Sequence, residues 1–249
     1  MTPGRVSFAF IHPGHQSHCF AQSKQRLMMF DAMESGRMLH GKGEMSKECG
    51  SNGIVAGRNT LTKALLDESD AEWLFMVDAD MGFAHDALER LIASADPVER
   101  PVVGALCFAL KSDDAHDMLA RTAYARRYRM TPTIYDFIED DGRVGWLARM
   151  NYERDALTQC GATGAACTLV HRRVLEAIRA KYGDTWFDPI THPKGPTTFG
   201  EDMSFCVRVA ACDFPLWVDT SIKTTHDKGG VFLDEHTFDL QERDRRVFA

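Results

Sequence analysis

A continuous apolar run bounded by charged residues, Trp73 to Val77, is the feature that most constrains how this 249-residue chain can fold. Unbroken apolar strands are typical of sheets whose two faces are both covered by helices, as in parallel sheets. Two more β-rich runs, Val6 to Ile11 and Pro101 to Leu110, lie on either side of it. Helical apolar spacing occupies the intervening segments 22–33, 54–65 and 84–95. This β-α-β-α-β alternation predicts an α/β fold, and it is typical of a nucleotide-binding half-fold.

The second half of the chain departs from this pattern. Two β-rich runs, Thr133 to Glu139 and Arg143 to Arg149, flank an Asp-Gly turn and predict an antiparallel hairpin. The Gly-rich stretch Ser35 to Gly53, in the first half, is predicted to be a loop. The other predicted segments are a Gly-containing strand or bend, two helices and two short strands: 158–170, 171–181, 201–211, 217–219 and 222–225.

Composition and charge exclude several classes of protein. Hydrophobic residues make up 44% and charged residues 26% of the chain, as in ordinary globular domains. The net charge of -7 disfavours nucleic acid as a partner. Seven scattered cysteines without a C-x-x-C pair indicate reduced thiols and no structural zinc. The longest apolar stretches are shorter than the ~18 residues of a membrane span, and no secretory signal begins the chain, so we predict a cytoplasmic protein without a transmembrane segment.

Asp78 and Asp80 follow directly after the apolar run Trp73 to Val77. Ligands of open α/β sheets bind at the carboxyl ends of the strands, where these two carboxylates would lie. Carboxylate oxygens suit a hard divalent cation, Mn²⁺ or Mg²⁺, which often bridges a protein to substrate phosphates. The alternative is a solvated strand-to-helix turn, in which acidic residues are common.

A second acidic pair, Glu201 and Asp202, begins a predicted helix. A carboxylate held there could accept a proton from an incoming hydroxyl group. The alternative is that both residues only complement the helix dipole. His226 follows the last predicted strand and could supply an imidazole ligand to the same cation, although a histidine in that position is often structural.

Four ordered motifs resemble those of the GT-A-fold glycosyltransferases that use nucleotide sugars. They are the Arg-Asn helix at Arg58, the Asp-x-Asp strand EWLFMVDADMGF, the Gly-rich segment GATGAACTLVHRRVLEAI from Gly161, and the helix GEDMSFCVRVA, after which WVDTSIKTTH ends at His226. The chain most resembles the short stand-alone transferases of bacteria and phages. The resemblance implies one Rossmann-type domain, residues 1–249, with a mixed sheet flanked by helices and an antiparallel hairpin insertion. Its nucleotide-binding half is 1–110, and its acceptor-side half with the C-terminal tail is 111–249.

The same resemblance assigns roles on the donor side. The donor is a UDP- or GDP-sugar. Asp78 lies near the ribose, Arg58 faces the nucleotide, and the loop with Pro13 and His15 holds the base. The divalent cation, Mn²⁺ or Mg²⁺, is bound by the residues of the metal site: Asp78, Asp80 and His226.

On the acceptor side, the resemblance makes Asp202 the catalytic base, with Glu201 beside it, in a single displacement that inverts the sugar. Gly161 and Trp186 are predicted to bind the acceptor, Trp186 by stacking on a sugar ring. The acceptor itself remains open among protein, lipid and glycan. The tail from Asp234 to Ala249 could cover the site, contact another subunit or fray.

Two other functions are compatible with parts of the pattern. A haloacid-dehalogenase-like phosphatase also carries Asp-x-Asp after an apolar strand, and Asp78 would then be the nucleophile. Such enzymes have a Thr or Val soon after the pair, whereas Met81 and Gly82 follow here. A noncatalytic nucleotide-sugar-binding protein is the other alternative, and it is disfavoured because all four predicted acidic and imidazole groups are present.

Overall fold

The computed structural model describes residues 2–38, 44–48, 53–112, 128–140, 143–192 and 197–247. The described helices are α1 His18–Phe30, α2 Gly53–Glu68, α3 Ala87–Ser94, α4 Arg172–Tyr182, α5 Glu201–Ala211 and α6 Glu235–Val247. A π-helical turn, Asp31–Ser35, continues α1. The described strands are β1 Thr2–His12, β2 Glu44–Glu48, β3 Ala71–Asp78, β4 Met81–Phe83, β5 Val102–Leu106, β6 Phe108–Ser112, β7 Tyr128–Pro132, β8 Ile134–Asp140, β9 Arg143–Ala148, β10 Leu157–Cys160, β11 Ala162–Thr163, β12 Cys167–His171, β13 Ile190–Thr191, β14 Thr198–Phe199, β15 Leu216–Asp227 and β16 Phe232–Leu233.

A nine-stranded mixed sheet forms the centre of the described chain, with the order β10-β15-β5-β12-β3-β1-β2 and with β4 and β16 paired to β15. Strand β1 is parallel to β2 and β3, and β15 is parallel to β5. Strand β12 lies between β3 and β5 and is antiparallel to both. The predicted mixed α/β sheet is confirmed, although β3 has one parallel and one antiparallel neighbour.

Both faces of the sheet are covered, as the apolar run of β3 predicts. Trp73, Phe75 and Val77 pack in one apolar cluster, and Leu74 and Met76 pack in another. Helices α1 and α3 contribute to the first cluster, whereas α2, α4, α5 and α6 contribute to the second. Because successive side chains of a strand point to opposite faces, one strand supplies both layers of core.

The predicted elements of the first half are confirmed in kind and corrected in detail. The segment Ser35 to Gly53, predicted to be a loop, contains β2, which pairs with the edge of β1 without any apolar periodicity of its own. The predicted strand Pro101 to Leu110 is two strands that are separated at Cys107. At that residue the chain leaves the central sheet, and β6 pairs with β7 instead. An apolar run carries no signal of such a change of partner.

The antiparallel hairpin of the second half is confirmed as β8 and β9, although its turn residues 141–142 lie outside the described part. The segment 158–170 forms three short strands rather than one, because β11 joins the hairpin while β10 and β12 join the central sheet. The two strands predicted near the end are one strand, β15. Its register against β5 shifts between Asp219 and Lys223, where the Asp219 carboxylate accepts the Ser221 backbone N–H at 2.9 Å.

The C-terminal tail forms α6 and packs on the domain. Phe238 is 2% exposed and lies 5.2 Å from Phe108 between ring centroids. The Gln241 side-chain amide bonds both backbone groups of Met130, at 2.7 and 3.0 Å. The described residues of the tail thus form a packed helix next to β7 and do not fray, and contact of this helix with another subunit stays open. No helix in the described ranges is long and apolar enough to cross a membrane.

Candidate active site

A cleft of about 700 Å³ opens at the carboxyl ends of β1 and β3. It brings together four residues that the sequence predicted for the donor side: Pro13, His15, Asp78 and Asp80. The remaining lining residues come from β1, the loop after it, α2, the turn after β3, the end of β15 and the turn that follows it: Ile11, His12, Ser17, Ile54, Ala79, Asp227, Lys228, Gly229 and Gly230.

Strand pairing places His226 next to Asp80, at the edge of this cleft. Strand β3 ends at Asp78, and the chain re-enters a strand at Met81, which pairs with His226 of β15. The Asp227 backbone N–H donates to the Asp80 carbonyl at 2.8 Å. The register of β15 against β4 therefore determines which side chains meet the Asp-x-Asp segment.

Asp80 is the centre of a small charged cluster. Its Oδ2 lies 3.2 Å from His226 Nε2 and 2.9 Å from Lys228 Nζ. Burial by itself would raise the pKa of Asp80, but hydrogen bonds and positive charge from His226 and Lys228 outweigh it and lower this pKa from 3.8 to about 2. Asp80 is therefore ionised throughout the physiological range.

A hydrogen bond at Nδ1 orients the His226 imidazole. Nδ1 lies 3.0 Å from the Phe108 carbonyl oxygen, which can only accept, so Nδ1 carries the proton of that bond. The other nitrogen, Nε2, faces Asp80 Oδ2. Nε2 is therefore the nitrogen that could serve as a metal ligand beside Asp80.

These residues fit a divalent cation only as a partial site. Among the described residues, no group of three or more His, Cys, Asp or Glu side chains is arranged to hold a metal ion. Asp80 Oδ1 is buried and accepts no hydrogen bond from the described part of the protein. Together with His226 Nε2 it supplies two ligands, and Mg²⁺ typically completes such a shell with waters and substrate phosphates.

Arg58 connects the two acidic pairs. Its side chain is 2% exposed, and its guanidinium donates to Asp78 Oδ1 at 2.7 Å and to Glu201 Oε1 at 3.1 Å. Burial by itself would lower the pKa of Arg58. The negative charges of Asp78 and Glu201 outweigh burial, so the pKa of Arg58 is raised above its usual value. The structure thus buries Arg58 between Asp78 and Glu201, where it positions both carboxylates, and the predicted contact of Arg58 with the nucleotide stays a prediction.

Asp202 lies in the first turn of α5 and faces the hairpin. A Cβ placed on Gly164 would lie 3.8 Å from Asp202 Oδ2, so the carboxylate lies next to the backbone of that glycine. Burial and the negative charge of Asp202 raise the pKa of Tyr135, on β8, to about 12. Asp202 therefore lies beside Gly164 and near Tyr135 of β8, apart from the atoms that contact Asp80.

The two predicted acceptor residues lie elsewhere. Trp186 is fully buried, and its Nε1 donates to the Leu175 carbonyl at 2.8 Å. The prediction that its ring stacks on a sugar is therefore wrong, because core packing has already covered that ring. A Cβ on Gly161 would lie 3.1 Å from Phe137 N and 3.2 Å from Tyr135 O, so Gly161 permits close packing of the hairpin.

Sequence reasoning gave no role to three residues that border the site. Gly164 is the second glycine of GATG, and its repetition in that short segment was an available signal. Lys228 follows His226 by two residues and precedes Gly229 and Gly230, a basic group before a glycine pair. Tyr135 gave no local signal, since an aromatic residue in a hairpin is ordinary.

No protein-family model and no curated protein sequence matches this chain. Among solved structures it is similar to A197 from STIV, with 14% identity, a TM-score of 0.54, and coverage of 93% of this chain and 91% of that one. It is also similar to GalNAc-T7, whose structure contains UDP, GalNAc and Mn²⁺, with 9% identity and a TM-score of 0.53. That match covers 89% of this chain but only 43% of the GalNAc-T7 chain. At these identities the likeness shows the fold, which is GT-A-like as predicted.

Proposed function

We propose that this protein is a glycosyltransferase that moves a sugar from a nucleoside diphosphate sugar to an acceptor hydroxyl group. The observation that carries the proposal is the ion-paired Arg58, which joins Asp78 of the cleft to Glu201 of the helix that bears Asp202. A donor-side cleft and a second carboxylate on one frame are what a displacement between two substrates needs. The likeness to GalNAc-T7, whose structure contains UDP, GalNAc and Mn²⁺, supports the same class.

On the donor side, the nucleotide would lie in the cleft beside Pro13 and His15, with the ribose near Asp78. Asp80 and His226 would hold a divalent cation. Such a cation, when bound, stabilises the negative charge that develops on the departing diphosphate. Arg58 keeps Asp78 in place, since its guanidinium holds one carboxylate oxygen at 2.7 Å.

On the acceptor side, Asp202 would take the proton of the attacking hydroxyl group. As the new bond to the anomeric carbon forms, the bond from that carbon to the diphosphate breaks, and the configuration inverts. Glu201 does not share this task, because it is paired with Arg58. Asp202 forms its one described hydrogen bond with the Met203 backbone N–H, at 2.8 Å, and its other oxygen faces Gly164.

The phosphatase hypothesis has less support than the transferase hypothesis. A nucleophilic aspartate needs a free oxygen to attack phosphorus. Asp78 would be that nucleophile, and since a buried arginine that also holds Glu201 binds its Oδ1, only Oδ2 could attack. The likeness to GalNAc-T7, whose structure contains UDP and GalNAc, favours the transferase.

Thermal unfolding with UDP, GDP and CDP, each with Mn²⁺ or with EDTA, tests the donor class. A ligand at ~100 times its Kd adds about 2.7 kcal/mol, which for a domain of this size raises Tm by roughly 5 to 10 °C. We expect this rise for one nucleotide, larger with Mn²⁺ than with EDTA, and none for the matching nucleoside. The absence of a shift with all three nucleotides would overturn the proposal.

Asp202→Asn tests the assignment of the base. We expect transfer to fall by roughly 10² to 10⁴-fold, the range that a general base contributes, with nucleotide binding unchanged. Asp239→Asn, on the exposed face of α6, is the matched control and should keep full activity. If Asp202→Asn and the wild type transfer equally fast, Asp202 is not the base.

A further inference from the structure

The turn after β15 is anchored to the Asp-x-Asp segment. The Asp227 backbone N–H donates to the Asp80 carbonyl at 2.8 Å, and Asp227 Oδ1 accepts the Gly230 N–H at 2.8 Å. Gly229 and Gly230 have φ of 71° and 94°, left-handed values that side chains rarely allow. The backbone of this turn is therefore fixed relative to Asp80 by the fold.

Lys228 occupies this turn and its side chain enters the cleft. Its Nζ lies 2.9 Å from Asp80 Oδ2, and its side chain is 44% exposed. Within the described residues, Asp80 is the only acceptor that Lys228 Nζ contacts. An ammonium group has three donors, so this one is held at the mouth of the cleft with capacity to bind another anion.

A divalent cation on Asp80 would share that carboxylate with Lys228. Oδ1 is the oxygen without a partner in the described part of the chain, whereas Oδ2 already contacts Lys228 and lies beside His226 Nε2. A lysine and a divalent cation on one carboxylate repel each other, and further negative charge nearby offsets that repulsion. A diphosphate brings that charge and offers the ammonium group a new partner.

We propose that Lys228 binds the diphosphate of the donor, and that its contact with Asp80 weakens cation binding until the diphosphate arrives. The inference rests on the proposed function and adds a residue to it. It also makes cation binding and nucleotide binding mutually dependent. The diphosphate offsets the repulsion between Lys228 and the cation, and by linkage the cation strengthens nucleotide binding by the same factor.

Lys228→Gln distinguishes this role by two effects of opposite sign. Mn²⁺ alone, titrated by electron paramagnetic resonance, should bind roughly 3- to 10-fold more tightly, because a repelling charge is gone. UDP and GDP, titrated by calorimetry in EDTA, should bind roughly 10-fold more weakly, because a charged hydrogen bond is lost. Uridine and guanosine should bind as they do to the wild type.

Lys223→Gln is the matched control. Lys223 lies on β15, the strand that precedes this turn, but it pairs with Asp155 and Glu235, at 3.0 and 2.6 Å, away from the cleft. We expect it to bind Mn²⁺ and both nucleotides as the wild type does. Lys228→Arg, which keeps the charge, should restore most of the nucleotide affinity.

The outcomes separate this inference from the function on which it rests. An unchanged affinity of Lys228→Gln for Mn²⁺ or for the nucleotide that the wild type binds overturns the role of Lys228. A parallel loss of both affinities also overturns it, since that indicates general damage to the cleft. If the wild type binds neither UDP nor GDP, the proposed donor class fails, while the Mn²⁺ titration still measures whether Lys228 competes at Asp80.

Discussion

One carboxylate oxygen, Oδ2 of Asp80, contacts two nitrogen atoms from side chains near the other end of the sequence. His226 and Lys228 lie 146 and 148 residues away in sequence, yet both are within 3.2 Å of it. Burial of a carboxylate is unfavourable unless such partners compensate it. The low pKa of Asp80, about 2, shows that here the partners prevail.

The stability contributed by Asp80 should therefore depend on pH. Because folding lowers its pKa from 3.8 to about 2, the contribution is present above pH ~4 and is lost as the pH falls towards 2. Urea unfolding in EDTA should show Asp80→Asn less stable than the wild type by about 1 to 2 kcal/mol at pH 5, after allowance for solvent screening. At pH 3 the difference should be about half as large. A difference that stays constant between pH 5 and pH 3 would contradict this account.

The hairpin β8–β9 depends on a close approach at one glycine. The Gly161 N–H donates to the Tyr135 carbonyl at 2.8 Å, where the chain passes from β10 to β11. A side chain there would meet backbone atoms of Phe137 and Tyr135 at 3.1 and 3.2 Å. Backbone atoms held in a strand pair cannot move aside as a flexible side chain would.

Gly161→Ala should consequently destabilise the protein by about 1 to 3 kcal/mol, the usual cost of overpacking. Gly145→Ala, in β9 of the same hairpin, is the matched control, because a Cβ there meets no atom within 4 Å. Its unfolding free energy should change by less than about 0.5 kcal/mol. Urea titration of both variants measures the difference, and equal stability of the two would refute the packing argument.

The helices and strands were largely predictable from local sequence patterns. The strands and side chains with which they pair were not. Helix α5 begins and ends where its predicted segment, 201–211, does, since its acidic first turn and apolar spacing are local properties. Strand β2 was missed because an edge strand of the sequence EMSKE shows no apolar alternation and gains its structure from pairing with β1. The acceptor role of Trp186 failed for a similar reason, since a tryptophan has the same sequence signal in a core as in a sugar site.

At the scale of the whole molecule, α2 connects the two halves. Arg58 holds Glu201, which lies 143 residues away, while it also holds Asp78. The next residue, Asn59, accepts the Phe187 N–H at 2.9 Å and donates to Asp188 at 2.6 Å. The Arg-Asn pair of the sequence motif thus fastens the second half of the chain to the first.

Arg58→Met should accordingly lower the unfolding free energy by about 3 to 5 kcal/mol, because it leaves two partly buried carboxylates without their shared partner. Arg154→Met is the matched control, since that arginine also pairs with two carboxylates, Glu235 and Asp239, but is 42% exposed. We expect it to cost about 1 kcal/mol or less. Chemical unfolding measures both, and similar losses in the two variants would show that Arg58 is not a special link.

Sequence alone determined the alternation of strands and helices, the burial of β3 on both faces and the positions of the acidic pairs at the ends of elements. These features follow from near neighbours along the chain, through period, caps and turns. Only the tertiary structure decided that Arg58 lies between Asp78 and Glu201, and that Lys228 reaches Asp80 across 148 residues. Those contacts depend on strand register and on which helices share a face of the sheet, and both arise from packing between distant segments.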